Sequence, residues 1–186
     1  MSYRTAVAAN AVLACGLHHR LYFSPFKIQA LLFLIQGWSL ARHGRPAIME
    51  SPEAWPNGPV FENLYFRLAR FGDSAVTDFL PSFQPSGNSL ELLFPGTDDM
   101  DYWRMVEHVV DEFGRWSLQD LAAVCREEGG AWHRAKATGE LLISDQSIQS
   151  FFRLKFDEYA SFVRQATGGD GCGGGDAEGL LLPAGS

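Results

Sequence analysis

The segment SPFKIQALLFLIQGWSLARHG, residues 24–44, determines the fold class of this chain. Ser24 and Pro25 indicate a helix start, because proline in the first turn has no N–H to leave unpaired and its φ is already helical. Gly44, with Pro46 beyond it, indicates where the helix ends. Apolar side chains at helical spacing cover most of its circumference: Ile28, Leu31, Leu32, Phe33, Leu34, Ile35 and Trp38. We therefore expect one central helix that is buried on nearly all sides.

Further helices are predicted on both sides of this segment. Ser117, with Asp120 three residues later, resembles a capping box, and Thr97-Asp98-Asp99 can cap the preceding helix, which runs to Phe113. Residues 79–95 contain three prolines and a Ser-Gly-Asn-Ser turn signal, which favours a small β-hairpin or an irregular excursion. The predicted helices cover residues 4–17, 24–43, 60–71, 99–113, a segment from 117, a short segment around Trp132, and 144–167. The expected fold class is mainly α, a compact bundle of about six or seven helices.

The chain is long enough for one domain followed by a tail. Its 186 residues suit a single hydrophobic core. From Gly168 the sequence changes to GGDGCGGGDAEG and then LLLPAGS, with no helical or strand periodicity. Glycine has the largest backbone entropy to lose on folding. We expect a helical domain over residues 1–167 and a flexible Gly-rich tail over 168–186.

Charge and cysteine content exclude several classes of protein. The formal net charge is −7, whereas nucleic-acid binders normally present a basic surface to phosphate. Three widely spaced cysteines without a CxxC pair indicate neither a disulfide framework nor a zinc site. The longest apolar run, residues 30–35, is far below the ~18 residues that span a membrane, and the N-terminal apolar stretch is interrupted at Asn10. The sequence predicts a cytoplasmic protein without nucleic-acid or membrane partners.

No set of residues with catalytic or metal-binding spacing emerges from the sequence. His108 and Glu112 would share a helix face, but no third ligand accompanies them. Cys125, His133 and Glu128 are the ingredients of a hydrolase only if they converge in space, and a small buried residue is the simpler interpretation of the cysteine. Neither GxxxxGK[ST] nor GxGxxG follows a predicted strand. We expect no catalytic residues, no metal and no cofactor.

The most distinctive local motif is EAWPNGPVFENLYFRLARFG, residues 53–72. Two prolines restrict φ on either side of Asn57-Gly58, so the turn is ordered before any partner binds. An amphipathic helix follows at once, with one apolar face made of Phe61, Leu64, Tyr65, Leu68 and Phe71. Trp55 can pin this helix start as a buried anchor, border a binding surface, or do both.

Four segments in this order resemble the Panacea domain family, the SocA-like antitoxins that are also described as phage-associated proteins. They are KIQALLFLIQGWSLARHGRPAI, EAWPNGPVFENLYFRLARFG, FGRWSLQDLAAVCREEGGAW and ISDQSIQSFF. The resemblance covers about residues 10–155, and the NGPV turn with the LY that follows it is the most specific part. Two family patterns are altered here: Cys125-Arg126-Glu127-Glu128 replaces a Thr-His-x-Glu run, and Lys27-Ile28-Gln29-Ala30 replaces Lys-Leu-x-Lys. Both departures concern partner contacts rather than the fold.

The resemblance implies a non-catalytic antitoxin that binds and neutralises a cognate toxin protein. It also admits a protease or chaperone system as a second partner. Aromatic anchors and rigid turns favour binding, and the partner-binding residues we predict are Trp55, Asn57, Tyr65, Glu127 and Glu128. The alternative function is a secreted or host-directed effector that uses the same domain as an interaction platform, motivated by the Gly-rich tail and the altered family positions.

Overall fold

The computed structural model describes residues 1–83 and 90–166 of the chain. Within these ranges it has seven α-helices and two antiparallel pairs of short strands, and none of these helices is long and apolar enough to cross a membrane. The elements in chain order are α1 (Thr5–His18), α2 (Pro25–His43), β1 (Glu53–Trp55), β2 (Gly58–Val60), α3 (Glu62–Leu68) with the 3₁₀ turn Ala69–Phe71, β3 (Pro81–Phe83), β4 (Leu90–Leu92), α4 (Met100–Phe113), α5 (Leu118–Cys125), α6 (Ala131–Thr138) and α7 (Asp145–Ala166). The prediction of a mainly helical fold with a small hairpin is confirmed.

Helix α2 is the centre of the fold. Every side chain from Ile28 to Ile35 is buried, and the helix packs against α1, α4, α5 and α7. Because neighbours surround it on nearly all sides, the apolar residues can extend around its circumference without facing water. The central position predicted from residues 24–44 is therefore confirmed.

Local capping chemistry determines where the helices begin and end. Gly44 follows α2 with a left-handed φ of 67°, a conformation that glycine adopts without strain. The Asp99 carboxylate accepts a hydrogen bond from the Tyr102 backbone N–H at 3.3 Å, and the Ser117 hydroxyl accepts one from the Asp120 N–H at 3.1 Å. These bonds satisfy amide groups that the first turns of α4 and α5 would otherwise leave without partners.

Buried side-chain amides connect the helices to the segments without regular structure. The Gln29 carbonyl accepts from the Phe61 N–H at 2.8 Å, and its amide donates to the Phe61 carbonyl at 3.2 Å. Asn10 in α1 makes the same paired contact with Leu80, and it also donates to the Leu93 carbonyl at 2.9 Å. Each amide satisfies backbone groups that would be costly to bury unpaired. The Gln29 contact holds the chain where α3 begins.

The two hairpins differ in how far the sequence predicted them. Strands β3 and β4 lie within the hairpin region predicted at residues 79–95, although the turn signal at 86–89 is outside the described residues. The turn at Asn57 was predicted, but its place between paired strands was not: Trp55 lies opposite Gly58 in an antiparallel ladder, and α3 begins after Val60. Backbone pairing across the turn therefore adds to the restriction that the prolines impose.

The last helix completes the core against α2. Ile148, Phe151 and Phe152 are buried, and the Phe152 ring lies 5.9 Å from the Phe33 ring in an edge-to-face arrangement. Helix α7 is described as far as Ala166, and its predicted end near Thr167 lies outside the described residues. The predicted tail, residues 168–186, lies outside the described part of the chain.

Candidate functional site

The β1–β2 hairpin is held against the domain by hydrogen bonds along its first strand. The Trp132 indole N–H donates to the Trp55 carbonyl at 2.9 Å, and the Ala54 N–H donates to the Leu141 carbonyl at 2.7 Å. The Trp55 indole N–H donates to the Glu53 carboxylate at 2.7 Å. These contacts restrain Trp55 through both its backbone and its side chain, so its position is set before any partner arrives.

An aromatic cluster, which we define as Phe26, Trp55, Tyr65 and Phe66, forms beside the hairpin. Tyr65 is at its centre, with ring centroids 4.8 Å from Trp55, 6.4 Å from Phe26 and 5.6 Å from Phe66. Trp55 and Tyr65 are half-buried, whereas the Phe66 side chain is 63% exposed. The cluster is thus part of the scaffold on one side and open to solvent on the other.

A groove of about 410 Å³ lies next to the aromatic cluster, between α2, the hairpin and α5. It extends along α5 from Leu118 to Arg126, a distance of about 12 Å for eight residues of helix. A cavity of this size is within the range that accommodates a ligand or a peptide side-chain cluster. Its lining residues are Phe26, Gln29, Ala30, Asn57, Gly58, Pro59, Val60, Asp73, Leu118, Gln119, Ala122, Cys125 and Arg126.

The five predicted partner-binding residues occupy two neighbouring parts of this region. Trp55 and Tyr65 belong to the aromatic cluster, and Asn57 is exposed and lines the groove. Glu127 and Glu128 directly follow Arg126, which lines the same groove. Glu127 forms an ion pair with Lys155 of α7, while Glu128 is exposed. The two carboxylates therefore differ in how freely they can pair with a partner.

Cys125 is in an environment that suppresses nucleophilic chemistry. Its thiol is buried, and burial raises the pKa to about 12, with Arg126 acting in the opposite direction. The thiolate is the reactive form, so at neutral pH this sulfur stays protonated. His133 accepts a hydrogen bond from the Gly129 N–H through Nδ1 at 3.3 Å. The sequence prediction that Cys125 is a buried core residue is confirmed, and the hydrolase hypothesis loses its nucleophile.

The described residues offer little to a metal ion. Across residues 1–83 and 90–166, no three His, Cys, Asp or Glu side chains come together as a possible ligand set. The His108 ring instead lies 6.1 Å from the Trp38 ring, and burial lowers its pKa. Its neutral form at pH 7 suits packing against an indole.

Phe26, Phe66 and Arg126 are parts of this site that sequence reasoning missed. Phe66 carried a detectable signal, because it falls outside the apolar face of its helix, where a large exposed side chain invites a binding interpretation. Phe26 and Arg126 had no such signal in the sequence. Their importance depends on α2, α5 and the hairpin meeting around one groove, which no local pattern shows.

Gly58 is expected to be essential to the geometry of the turn. Its φ is 137°, a conformation that residues with a side chain rarely adopt, and its nearest neighbour for an added Cβ is Arg126 at 3.9 Å. Gly58→Ala should lower the free energy of unfolding by about 1–3 kcal/mol through backbone strain alone. Asn57→Ala, one residue earlier and exposed, should change it by less than about 0.5 kcal/mol. Urea denaturation of both variants measures the difference, and equal effects would contradict the strain argument.

Comparison with known proteins connects this region to one family. Residues 28–133 match the family model described as "Antitoxin SocA-like, Panacea domain". The protein named Antitoxin SocA from Caulobacter vibrioides (strain NA1000 / CB15N) is 28% identical over 138 residues, which is 71% of this chain and 73% of that protein. No solved structure matches the chain significantly. The matched range contains the hairpin, the aromatic cluster except Phe26, and both carboxylates after Arg126.

Proposed function

This chain belongs to the Panacea domain family of SocA-like antitoxins, and from that premise we propose that it binds a cognate toxin protein directly and neutralises it. In this proposal the chain contributes a surface and performs no chemistry. The buried, protonated Cys125 is consistent with that role. The relative from Caulobacter vibrioides is likewise named an antitoxin.

The aromatic cluster is the observation that carries the proposal. Binding energy at protein interfaces concentrates in a few large side chains, with Trp and Tyr enriched among them. Here Phe66 is 63% exposed and Phe26 is 36% exposed, and Tyr65 contacts both. Exposed aromatic side chains that are contiguous, rather than scattered, mark interaction surfaces.

The rigidity of the hairpin supports the same surface. Ordering side chains and loops on binding costs free energy, and a surface that is already ordered avoids much of that cost. The Trp132 bond to the Trp55 carbonyl and the Ala54 bond to Leu141 restrain the hairpin in the free protein. A toxin segment would meet Trp55, Asn57 and Tyr65 close to their bound positions.

The two carboxylates at the end of α5 would contribute unequally. Glu127 already pairs with Lys155, so a basic residue of the toxin would have to compete for it. Glu128 is exposed, and its side chain makes no hydrogen bond or ion pair with any of the described residues. Rim charges mainly accelerate association and select partners. We therefore assign the larger electrostatic role to Glu128.

Tyr65→Ala is expected to weaken toxin binding at least about 30-fold, since truncating an aromatic hot spot costs ~2 kcal/mol or more. The experiment is co-expression with the product of the neighbouring open reading frame, followed by titration of the purified complex. Tyr22→Ala is the matched control, because Tyr22 is an exposed tyrosine that lies outside the cluster and the groove. Thermal midpoints of both variants should stay within a few degrees of the parent.

This proposal fails if no neighbouring product is toxic or forms a complex with the chain. It also fails in its placement of the surface if Tyr65→Ala binds normally, or loses binding only through unfolding.

Glu128→Lys is expected to slow association with the toxin and to make it less dependent on salt. Long-range attraction between the carboxylate and a basic partner acts on the association rate and is screened by ions. Glu107→Lys provides the control, because it introduces the same charge change at an exposed position of α4. Stopped-flow association rates at two ionic strengths compare them. Equal slowing by both variants would point to net charge alone.

A further inference from the structure

The groove between α2, the hairpin and α5 combines an apolar floor with one guanidinium. Ala30, Val60 and Ala122 line it, and Leu118 at its rim is 41% exposed. The Arg126 Nε–H donates to the Ala122 carbonyl at 3.1 Å, which orients the guanidinium at the end of α5. Among the described residues Arg126 takes part in no ion pair. Its remaining N–H groups can donate hydrogen bonds to a carboxylate.

The chain itself contains a segment with matching chemistry. Residues 176–183 read DAEGLLLP, so three consecutive leucines follow two carboxylates, Asp176 and Glu178. Such a segment can place apolar side chains on the floor of the groove and a carboxylate beside Arg126. Asp73, the carboxylate in the lining, would repel the acidic end and so favours one direction of docking.

The distance between α7 and the leucines permits this docking. About 13 residues connect Ala166 to Leu180, enough to span about 45 Å when extended. A domain of this size has a radius of gyration of about 15 Å, so the groove is within reach from any point where α7 ends. A short glycine-rich connection also produces an effective concentration in the millimolar range. Even a weak intrinsic affinity would then keep the groove occupied.

We propose that residues 176–183 dock in the groove between α2, the hairpin and α5, with Leu180–Leu182 on its apolar floor and Asp176 or Glu178 paired with Arg126. The docked segment covers the side of the hairpin that carries Asn57, next to the aromatic cluster. A partner that uses this surface must displace it. The proposal goes beyond toxin binding and can be tested on the full chain without any partner.

Methyl NMR of the full chain detects the docking directly. We expect nuclear Overhauser contacts between the Leu180–Leu182 methyls and those of Ala30 or Val60. Replacing all three leucines with aspartate should abolish these contacts and shift the Leu118 methyl resonances. Leu92, exposed on β4, should not shift. Equal thermal midpoints of the substituted and the unmodified chain would show that the loss of contacts does not come from unfolding.

A charge exchange tests the pairing with Arg126. Arg126→Glu should abolish the contacts, and adding Asp176→Lys with Glu178→Lys should restore them. Arg134→Glu is the matched control, because the Arg134 Nε–H also donates to a backbone carbonyl, that of Gly129, but the residue lies outside the groove. It should leave the contacts unchanged.

Several results would overturn this inference. Absence of the contacts in the unmodified chain is the simplest. If the contacts persist in Arg126→Glu, the proposed pairing with Arg126 is wrong, and so is the direction of docking inferred from it. Contacts seen only between differently labelled molecules would identify the occupant as a second copy. If the Leu118 resonances respond to added toxin but not to the aspartate substitutions, the groove binds the partner and not residues 176–183.

Discussion

Gln36→Leu is expected to lower the free energy of unfolding by about 3–5 kcal/mol, because it leaves buried backbone groups without partners. The Gln36 carbonyl accepts from the Ala47 N–H at 3.0 Å and from the Ile48 N–H at 2.9 Å. Its amide donates to the Asp145 carboxylate at 3.0 Å, at the start of α7. Leucine has a similar volume but no acceptor, so the two N–H groups would remain in place and lose their bonds.

Equilibrium urea denaturation measures this loss. Gln146→Leu makes the same chemical change at an exposed position one residue after Asp145, and it should alter stability by less than about 0.5 kcal/mol. A loss below about 1 kcal/mol for Gln36→Leu would mean that water or a local shift satisfies the two amides. The tertiary role that we assign to Gln36 would then be wrong.

Gly37→Ala is expected to cost about 2–3 kcal/mol, although alanine normally stabilises a helix interior relative to glycine by about 1 kcal/mol. A Cβ at position 37 would overlap the Phe152 ring. That ring is held by Phe33 and by Phe151, at 5.9 and 5.4 Å, so it has little freedom to withdraw. The methyl group would force α7 away from α2 and disturb the position of Lys155, the partner of Glu127.

A double-mutant cycle identifies the cause. Phe152→Leu alone should destabilise the protein by leaving a cavity. In the presence of Phe152→Leu, the cost of Gly37→Ala should fall by at least about 1 kcal/mol, because the smaller side chain leaves room for the methyl group. Additive effects of the two changes would show that the close approach of α2 and α7 does not explain the glycine.

Tyr65 in the aromatic cluster has both a structural role and a role in the proposed binding surface. Tyr65 contacts Trp55 on one side and the exposed Phe66 on the other. Removing its ring therefore takes away both a support of the hairpin and a part of the proposed surface. The binding test needs the thermal midpoint beside it for this reason, and the exposed Tyr22 serves as the comparison.

The candidate site was predictable in part. The motif around Trp55, Asn57 and Tyr65 stands out in the sequence because prolines, an Asn-Gly pair and aromatic residues each have a local meaning. Arg126 had none. It gains its place in the groove from Gly58, more than sixty residues earlier in the chain, and from the end of α5. Likewise the Glu127 pairing with Lys155 depends on how α7 crosses the domain.

What the sequence by itself determined is the set of helices, several of their ends and the central place of α2. Gly44, Asp99 and Ser117 act through hydrogen bonds and backbone angles within a few residues, and the apolar pattern of residues 28–35 is a property of one segment. Only the tertiary structure decided the β1–β2 pairing, the partners of the buried amides and the groove. These depend on contacts between residues far apart in the chain, whose free energies exist only after the helices have packed, so no local pattern encodes them.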